Sequence, residues 1–248
     1  GYDNIDVPAA TARKIPIGNT PGVLTEATAD LAFSLLLAAA RRLPEGERYV
    51  RDGNWKQWSP SLLLGQDIYG ATLGILGFGR IGQAVARRGK GFGMKLLYHG
   101  GGDQSAAQEL GAQSSSFDDL LHESDFISVH VPLKPETHHL ISTREFSLMK
   151  TTAILVNTAR GGIVNPAALY AALRSKRIAA AGLDVTEPEP IQLDDPLLTL
   201  DNCLIVPHIG SATVATREKM ALLAAENILA GLRGERLPHC VNPVIYER

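Results

Sequence analysis

Short apolar, β-branched runs alternate with helically spaced stretches along most of the chain, and this alternation predicts a parallel sheet covered by helices. The expected strands are 72–76 (TLGIL), 95–98 (KLLY), 126–130 (FISVH), 152–156 (TAILV), 179–184 (AAAGLD) and 203–206 (CLIV). Several are apolar almost throughout, as strands buried on both faces are. Helical spacing falls near 81–90, 117–123, 143–149 and 166–175. A Leu- and Ala-rich helix is expected before this block, over about 25–42. Pro44 then suits the first turn of a short helix and Gly53 its end. After the block, 213–232 reads as an amphipathic helix. Residues 1–22 offer one short strand, Lys14 to Ile17, and a piece that small cannot bury a core alone. It must pack on the last helix or on sequence outside this chain. The expected division is a sheet domain at 23–210 and a second domain from 1–22 and 211–248.

Composition changes the picture by exclusion. A 248-residue chain that is 45% hydrophobic and 20% charged is an ordinary globular protein, long enough for one large domain or two smaller ones. Its formal net charge of −2 gives no general pull toward nucleic acid. The most apolar run, Leu31 to Ala40, is too short to cross a bilayer, and no secretory signal is visible, so a cytoplasmic location is expected. Cys203 and Cys240 make neither a disulfide framework nor a ligand cluster, and the histidines show no metal-ligand spacing, so no metal is expected. His138 and His139 read as exposed loop residues. The opening GYDNID, without an initiator Met, suggests further sequence upstream.

The strongest single motif is Gly77-Phe78-Gly79-Arg80-Ile81-Gly82, a G-x-G-x-x-G turn. It follows the strand-like ATLGIL and opens the helical IGQAVARRGK, the context in which the pattern indicates dinucleotide binding. Gly77 permits a tight turn, Gly79 lets backbone approach a pyrophosphate, and Gly82 allows close helix–strand contact. The N–H groups at the start of the helix, around Arg80 and Ile81, suit phosphate. An acid for the adenosine ribose is expected about 20 residues on. There the sequence runs His99, Gly100, Gly101, Gly102, Asp103, so the second strand ends without one. No obvious arginine for a 2′-phosphate follows either. Missing repulsion favours NADP over NAD, with His99 or Arg80 as a phosphate partner; a solvated loop role for His99 is an equal reading.

Four segments carry a family resemblance: LGILGFGRIGQAVARR, HVPLKPETHHLI, ILVNTARGGIVN, and GLDVTEPEP followed by VPHIGSAT. They resemble the D-isomer-specific 2-hydroxyacid dehydrogenases, in the family's order, and are most similar to glyoxylate/hydroxypyruvate reductases. RRLPEGERYVRDGNWKQW and LLAAENILAGLRGERLP extend the likeness. The resemblance implies a doubly wound Rossmann sheet beside an incomplete, flavodoxin-like substrate domain, and an NAD(P)H-dependent reductase of small 2-oxo acids. Arg160 in NTARGG, Glu189 after TEP, and His208 in PHIGSAT occupy the positions of the family's catalytic residues.

Those side chains suit the chemistry. Reduction of a 2-oxo acid needs a proton at the carbonyl oxygen, and histidine delivers protons near neutral pH. A carboxylate beside His208 stabilises the imidazolium, which is the role expected of Glu189. The fork of Arg160 matches a substrate carboxylate. By the same comparison His130 and Pro132 line the adenosine pocket, Thr158 and its neighbours Asn157 and Ala159 lie along the cofactor, and Asp184 and Gly210 lie near the nicotinamide. Gly1 belongs to a carboxylate-holding loop. Relatives dimerise around GNWKQWSP, which places Trp58 at a partner's active site in a homodimer; packing of Trp55 and Trp58 under their own loop is the other reading. The same architecture also serves NAD(H)-sensing corepressors, although no basic patch or peptide-binding feature supports that here. Formate- and phosphoglycerate-type dehydrogenases differ from the expected reductase in substrate.

Overall fold

Asp6 starts the first helix: its carboxylate accepts the Ala9 N–H at 2.8 Å, and Pro8 sits in the first turn, where a missing N–H costs nothing. This helix, α1 (Val7–Ala12), was not expected from hydrophobic spacing. The strand expected at Lys14 to Ile17 does not form. A side chain takes the place of a neighbouring strand, because the buried Asn242 accepts the Ile17 N–H at 2.9 Å and donates to the Ile15 carbonyl at 2.9 Å. One isolated antiparallel bridge, Gly18 to Cys240, is all the β pairing this segment has.

A computed structural model describes residues 1–247, which divide into two units: 1–27 with 211–247, and Thr28–Gly210. In chain order there follow α2 (Thr25–Ala40), α3 (Leu43–Arg51), β1 (Thr72–Phe78), α4 (Arg80–Gly91) and β2 (Lys95–Gly102). Next come α5 (Gln104–Leu110), β3 (Gln113–Ser114), α6 (Phe117–Glu123), β4 (Phe126–Val129) and α7 (Thr143–Leu148). The chain closes with β5 (Ile154–Asn157), α8 (Pro166–Arg174), β6 (Ala180–Leu183), β7 (Cys203–Ile205) and α9 (Val214–Leu232). No helix among the described residues is long and apolar enough to cross a membrane.

In the larger unit all seven strands of the sheet run parallel in the order β3-β2-β1-β4-β5-β6-β7. Successive side chains alternate between two cores. Leu73, Ile75, Phe126, Ile154 and Val156 join Phe33, Leu36 and Val85 on one face. Leu76, Ile127, Val129 and Leu155 join Leu120, Phe146 and Leu169 on the other. This is the doubly wound arrangement, and its order reverses between β1 and β4.

Two boundaries shift most from expectation, and one further element is new. The helix expected over 25–42 stops at Ala40 because Arg42 turns left-handed (φ 53°) ahead of α3. The strand expected to end at Tyr98 continues to Gly102, whose backbone lies so close to Phe78 that a Cβ would stand 2.6 Å from the Phe78 carbonyl oxygen. After it, Asp103 caps α5 and the left-handed Gly111 ends it, an element that periodicity over seven residues did not reveal.

In the smaller unit, Asn227 of α9 donates to the Asn19 carbonyl at 3.0 Å and accepts the His239 N–H at 3.0 Å. Together with Asn242 it closes the unit through buried amides, each serving backbone groups that have no strand to pair with. Asn242→Ala leaves the Ile17 N–H and the Ile15 carbonyl without their partner. A loss of about 2–3 kcal/mol is expected, read as a lower urea midpoint and as faster amide exchange around residues 15–18.

Candidate active site

Parallel pairing brings one end of every strand to the same edge. Just past the paired residues, the His130 N–H donates to the Leu76 carbonyl at 2.7 Å, Asp184 to Asn157 at 2.9 Å, and His208 to Asp184 at 3.0 Å. The segments that follow β1, β4, β5, β6 and β7 therefore leave from neighbouring positions at the carboxyl edge, where open α/β sheets bind ligands.

The glycine turn leaves β1 there, and its three glycines do different work. Gly77 has φ +92°, and a Cβ on it would lie 2.7 Å from the His130 carbonyl. A Cβ on Gly82 would lie 2.2 Å from the Gly77 oxygen. Both are required by the protein itself. Gly79 is not: its φ is −74°, and nothing stands within 4 Å of where its Cβ would be. That opening sits at the N-terminus of α4, so it fits a phosphate approaching exposed N–H groups. A second observation also fits a ligand. The Thr158 hydroxyl is buried at the end of β5 with no hydrogen-bond partner among the described residues.

Arg80 and Ile81 form the first turn of α4; Arg80 is exposed, and Ile81 packs on the core. His99 is a half-buried strand residue, not a solvated loop, with Nδ1 3.0 Å from the Ser115 carbonyl and its ring tilted on Phe117. Asp103, the acid nearest the end of β2, directs its carboxylate to the Ser105 and Ala106 N–H groups. His130 bonds Ser128 Oγ through Nε2 at 2.7 Å. Pro132 follows in the loop, where its carbonyl accepts from Thr137 Oγ1.

Beyond β5, β6 and β7 stand the three residues singled out for chemistry, Arg160, Glu189 and His208 in that order. Asn157 braces the Arg160 turn, accepting the Ala159 N–H at 3.0 Å and donating to the Arg160 carbonyl at 2.8 Å. Arg160 Nη1 donates to the Ala159 carbonyl. His208 Nδ1 lies 2.5 Å from Glu189 Oε1, so these two, 19 residues apart, are paired. Asp184 positions that pair from below. Its buried carboxylate accepts the Ile209 N–H at 2.6 Å and the Gly210 N–H at 2.8 Å, holding the turn in which His208 adopts a left-handed φ of 52°. Burial pushes the Asp184 carboxyl above the usual range, against the opposing pull of those two N–H groups and His208. Asp184 is thus a structural anchor whatever else it touches.

Two expectations are corrected. His138 is exposed, as expected, but His139 is half-buried, and the two are not separate residues. Their rings stack at 3.9 Å, and with Glu187 they form a three-residue group whose ligand-type atoms lie within 4.8 Å of one another. Sequence spacing hid this group, because Glu187 lies 48 residues beyond His139. Trp55 and Trp58 are 58% and 78% exposed, so they do not pack under their own loop. Gly1 belongs to the smaller unit.

Strand order, a glycine turn at the switch point, and an opening at Gly79 that fits phosphate together define a dinucleotide-binding α/β fold. The chain belongs to the D-isomer-specific 2-hydroxyacid dehydrogenases: residues 33–210 match that family's NAD-binding domain. It is therefore an oxidoreductase that uses a nicotinamide cofactor. A glyoxylate reductase of Korarchaeum cryptofilum is 57% identical over 244 residues, covering 98% of this chain and 74% of that protein. The solved TT0316 protein of Thermus thermophilus superposes with a TM-score of 0.91 at 52% identity, covering 97% of this chain and 76% of that one. A glyoxylate reductase from Paecilomyes thermophila gives a TM-score of 0.87 at 41% identity, over 97% of this chain and 72% of that one.

Gly79→Ala is expected to leave the melting temperature unchanged while weakening dinucleotide binding about tenfold, or about 1.4 kcal/mol, in a fluorescence titration. Gly82→Ala is expected to lower the melting temperature, since overpacking costs about 1–3 kcal/mol. A pH effect follows from His130, whose imidazole burial pushes down to about 4 from 6.5. Its folded value lies below its unfolded one, so the unfolded chain binds the proton first. The stability linked to His130 is present above about 6.5 and is lost as pH falls toward 4. Melting temperature should fall across that window, and His130→Asn should flatten the slope; equal slopes would exonerate His130.

Proposed function

We propose that this enzyme reduces glyoxylate or hydroxypyruvate to the 2-hydroxy acid, with NADPH preferred over NADH, and works as a cytoplasmic homodimer. In this reading the sheet unit is the cofactor domain, and the smaller unit is part of a flavodoxin-like substrate domain. The observation that carries the chemistry is the His208–Glu189 pair at the carboxyl edge.

A bound nicotinamide supplies the hydride that reduces the carbonyl carbon. Glu189 accepts a hydrogen bond from Nδ1–H of the protonated His208 ring, which leaves Nε2 as the nitrogen that gives its proton to the carbonyl oxygen. After transfer the ring is neutral and still held by Glu189; in the reverse direction the same nitrogen accepts the proton. Arg160, braced by Asn157, holds the substrate carboxylate through its planar fork. The left-handed backbone at His208 costs about 1–2 kcal/mol. Asp184 offsets that cost by gripping the next two N–H groups, which fixes the ring's aim.

Support for NADPH comes from what β2 lacks. Its last three residues are glycines, and Asp103 is committed to capping α5, so no carboxylate opposes a 2′-phosphate. Arg80 is exposed beside the turn. His99 uses Nδ1 on the Ser115 carbonyl, so Nε2 remains and donates to a phosphate when the ring is protonated. The exposed Trp58 supports a subunit contact. The names of the relatives support the substrate.

Mixing the protein with hydroxypyruvate or glyoxylate and following absorbance of NADPH, then NADH, tests the reading. Both acids should be turned over, faster with NADPH; no oxidation of either cofactor would overturn it. His208→Ala should lose at least about a hundredfold in turnover while still binding cofactor. Retained turnover would remove His208 as the proton donor.

A further inference from the structure

His139 and Glu187 join two segments that each carry a residue of the chemistry. His139 Nε2 lies 2.6 Å from Glu187 Oε2, and His138 Nε2 lies 3.3 Å from Oε1. A His-His-Glu group is a metal donor set by composition, but the hydrogen bonds around it specify a proton instead. Asn165 caps α8, its Oδ1 accepting the Ala168 N–H at 3.0 Å, so its amide nitrogen is the atom that faces His139. Nδ2 of Asn165 donates to His139 Nδ1 at 3.3 Å. A ring that accepts at Nδ1 carries its proton on Nε2, and that proton points at Glu187. A metal would need the Nε2 lone pair and the reverse of the Asn165 bond.

On one side, His139 is stitched to the turn that follows Arg160. Its N–H donates to the Gly162 carbonyl at 2.7 Å, and the Ile141 N–H donates to Ile163 at 3.1 Å. On the other side, Glu187 belongs to the segment that ends in Glu189, tied internally by Thr186 Oγ1 to the Pro188 carbonyl at 2.8 Å and by the Thr186 N–H to Glu189 Oε2 at 3.4 Å. The two segments touch without space to spare. A Cβ on Gly161 would lie 1.9 Å from the Thr186 carbonyl oxygen, and one on Gly162 would lie 3.0 Å from Glu187 Oε1. His139 holds a left-handed φ of 52°, an unfavoured conformation for a histidine. Burial pushes the Glu187 carboxyl up, but the hydrogen bonds and charge of His139 and His138 outweigh it, so it sits below its ordinary range. It therefore stays ionised at neutral pH, and a charged acceptor strengthens the bond from His139.

We propose that His139 and Glu187 form a latch that sets the Arg160 turn against the Glu189–His208 pair, making both of them positioning residues for the reaction. The latch rests on the reading that Arg160, Glu189 and His208 carry the chemistry. A displacement of about 1 Å between reacting groups is enough to cost on the order of a hundredfold in rate. The latch touches neither the glycine turn nor α4, so it leaves the phosphate-facing part of the proposed cofactor site in place.

The test is steady-state kinetics of the whole chain with hydroxypyruvate and NADPH, with cofactor affinity and melting temperature measured on each variant. His139→Ala should lower kcat/KM about ten- to a hundredfold, through both a lower kcat and a higher KM, with cofactor affinity unchanged. His139→Gln, whose amide nitrogen reaches where Nε2 was, should restore most of it. Wild-type kcat/KM in His139→Ala, or a Gln variant no better than the Ala variant, would overturn the latch. If His139→Ala does not fold, Glu187→Gln should show the same kinetic loss in reduced degree, and wild-type kinetics there would overturn the proposal. Glu189→Gln and His208→Ala, assayed beside them, separate the two levels. If these keep full activity, the proposed chemistry fails; if they lose it while His139→Ala does not, the latch alone fails.

Discussion

Asp184 buries a carboxylate where β6 ends, and both of its oxygens accept N–H groups from the turn after β7. Burying a charge this way is unfavourable unless its hydrogen bonds are satisfied, and here backbone donors satisfy them. The consequence reaches the proposed chemistry: the held turn is the one in which His208 takes its left-handed backbone and meets Glu189. Asp184 in turn is held by β pairing, its N–H on the Asn157 carbonyl and its own carbonyl accepting from His208. The parallel sheet thus transmits its register to the imidazole through one buried residue.

Small and absent side chains shape the same edge. At Gly77 and Gly82 the protein's own backbone excludes a Cβ, while at Gly79 the space is left open. Gly161 repeats the first pattern beside Arg160, where it lets the Thr186 backbone close against the turn, and at Gly162 the Glu187 carboxylate closes in. A rigid strand edge with tightly docked turns suits hydride and proton transfer, which depend on near-contact geometry more than on a strong ligand.

The two cores explain why these turns stay in place. Each face of the sheet has its own apolar cluster, so β4 and β5, and β1 beyond Thr72, are fully buried and cannot slip in register without exposing both faces. What varies at the edge is polar and local: Asn157 bracing Arg160, Asn165 aiming His139, Asp103 capping α5. In the smaller unit the same device appears, with Asn227 and Asn242 replacing a sheet neighbour.

Much of this was legible along the chain. Continuous apolar runs located six strands to within a few residues, and the glycine turn with its flanking strand and helix pointed to the edge proposed to face phosphate. Arg160, Glu189 and His208 were identifiable through motifs that resemble a family, because each sits within a short conspicuous string. What the chain did not display were α1, α5 and β3, whose helical or β spacing covers too few residues to show, and the last four residues of β2, three of which are glycine. Nor did it display the grip of Asp184 on the β7 turn, 25 residues away, or the meeting of His139 with Glu187, 48 residues away. Periodicity and short motifs record interactions between near neighbours, so the sequence by itself determined the elements and the candidate groups. Which carboxylate meets which imidazole was decided only by tertiary structure, because parallel strands joined by crossover helices bring together loops that no local pattern links.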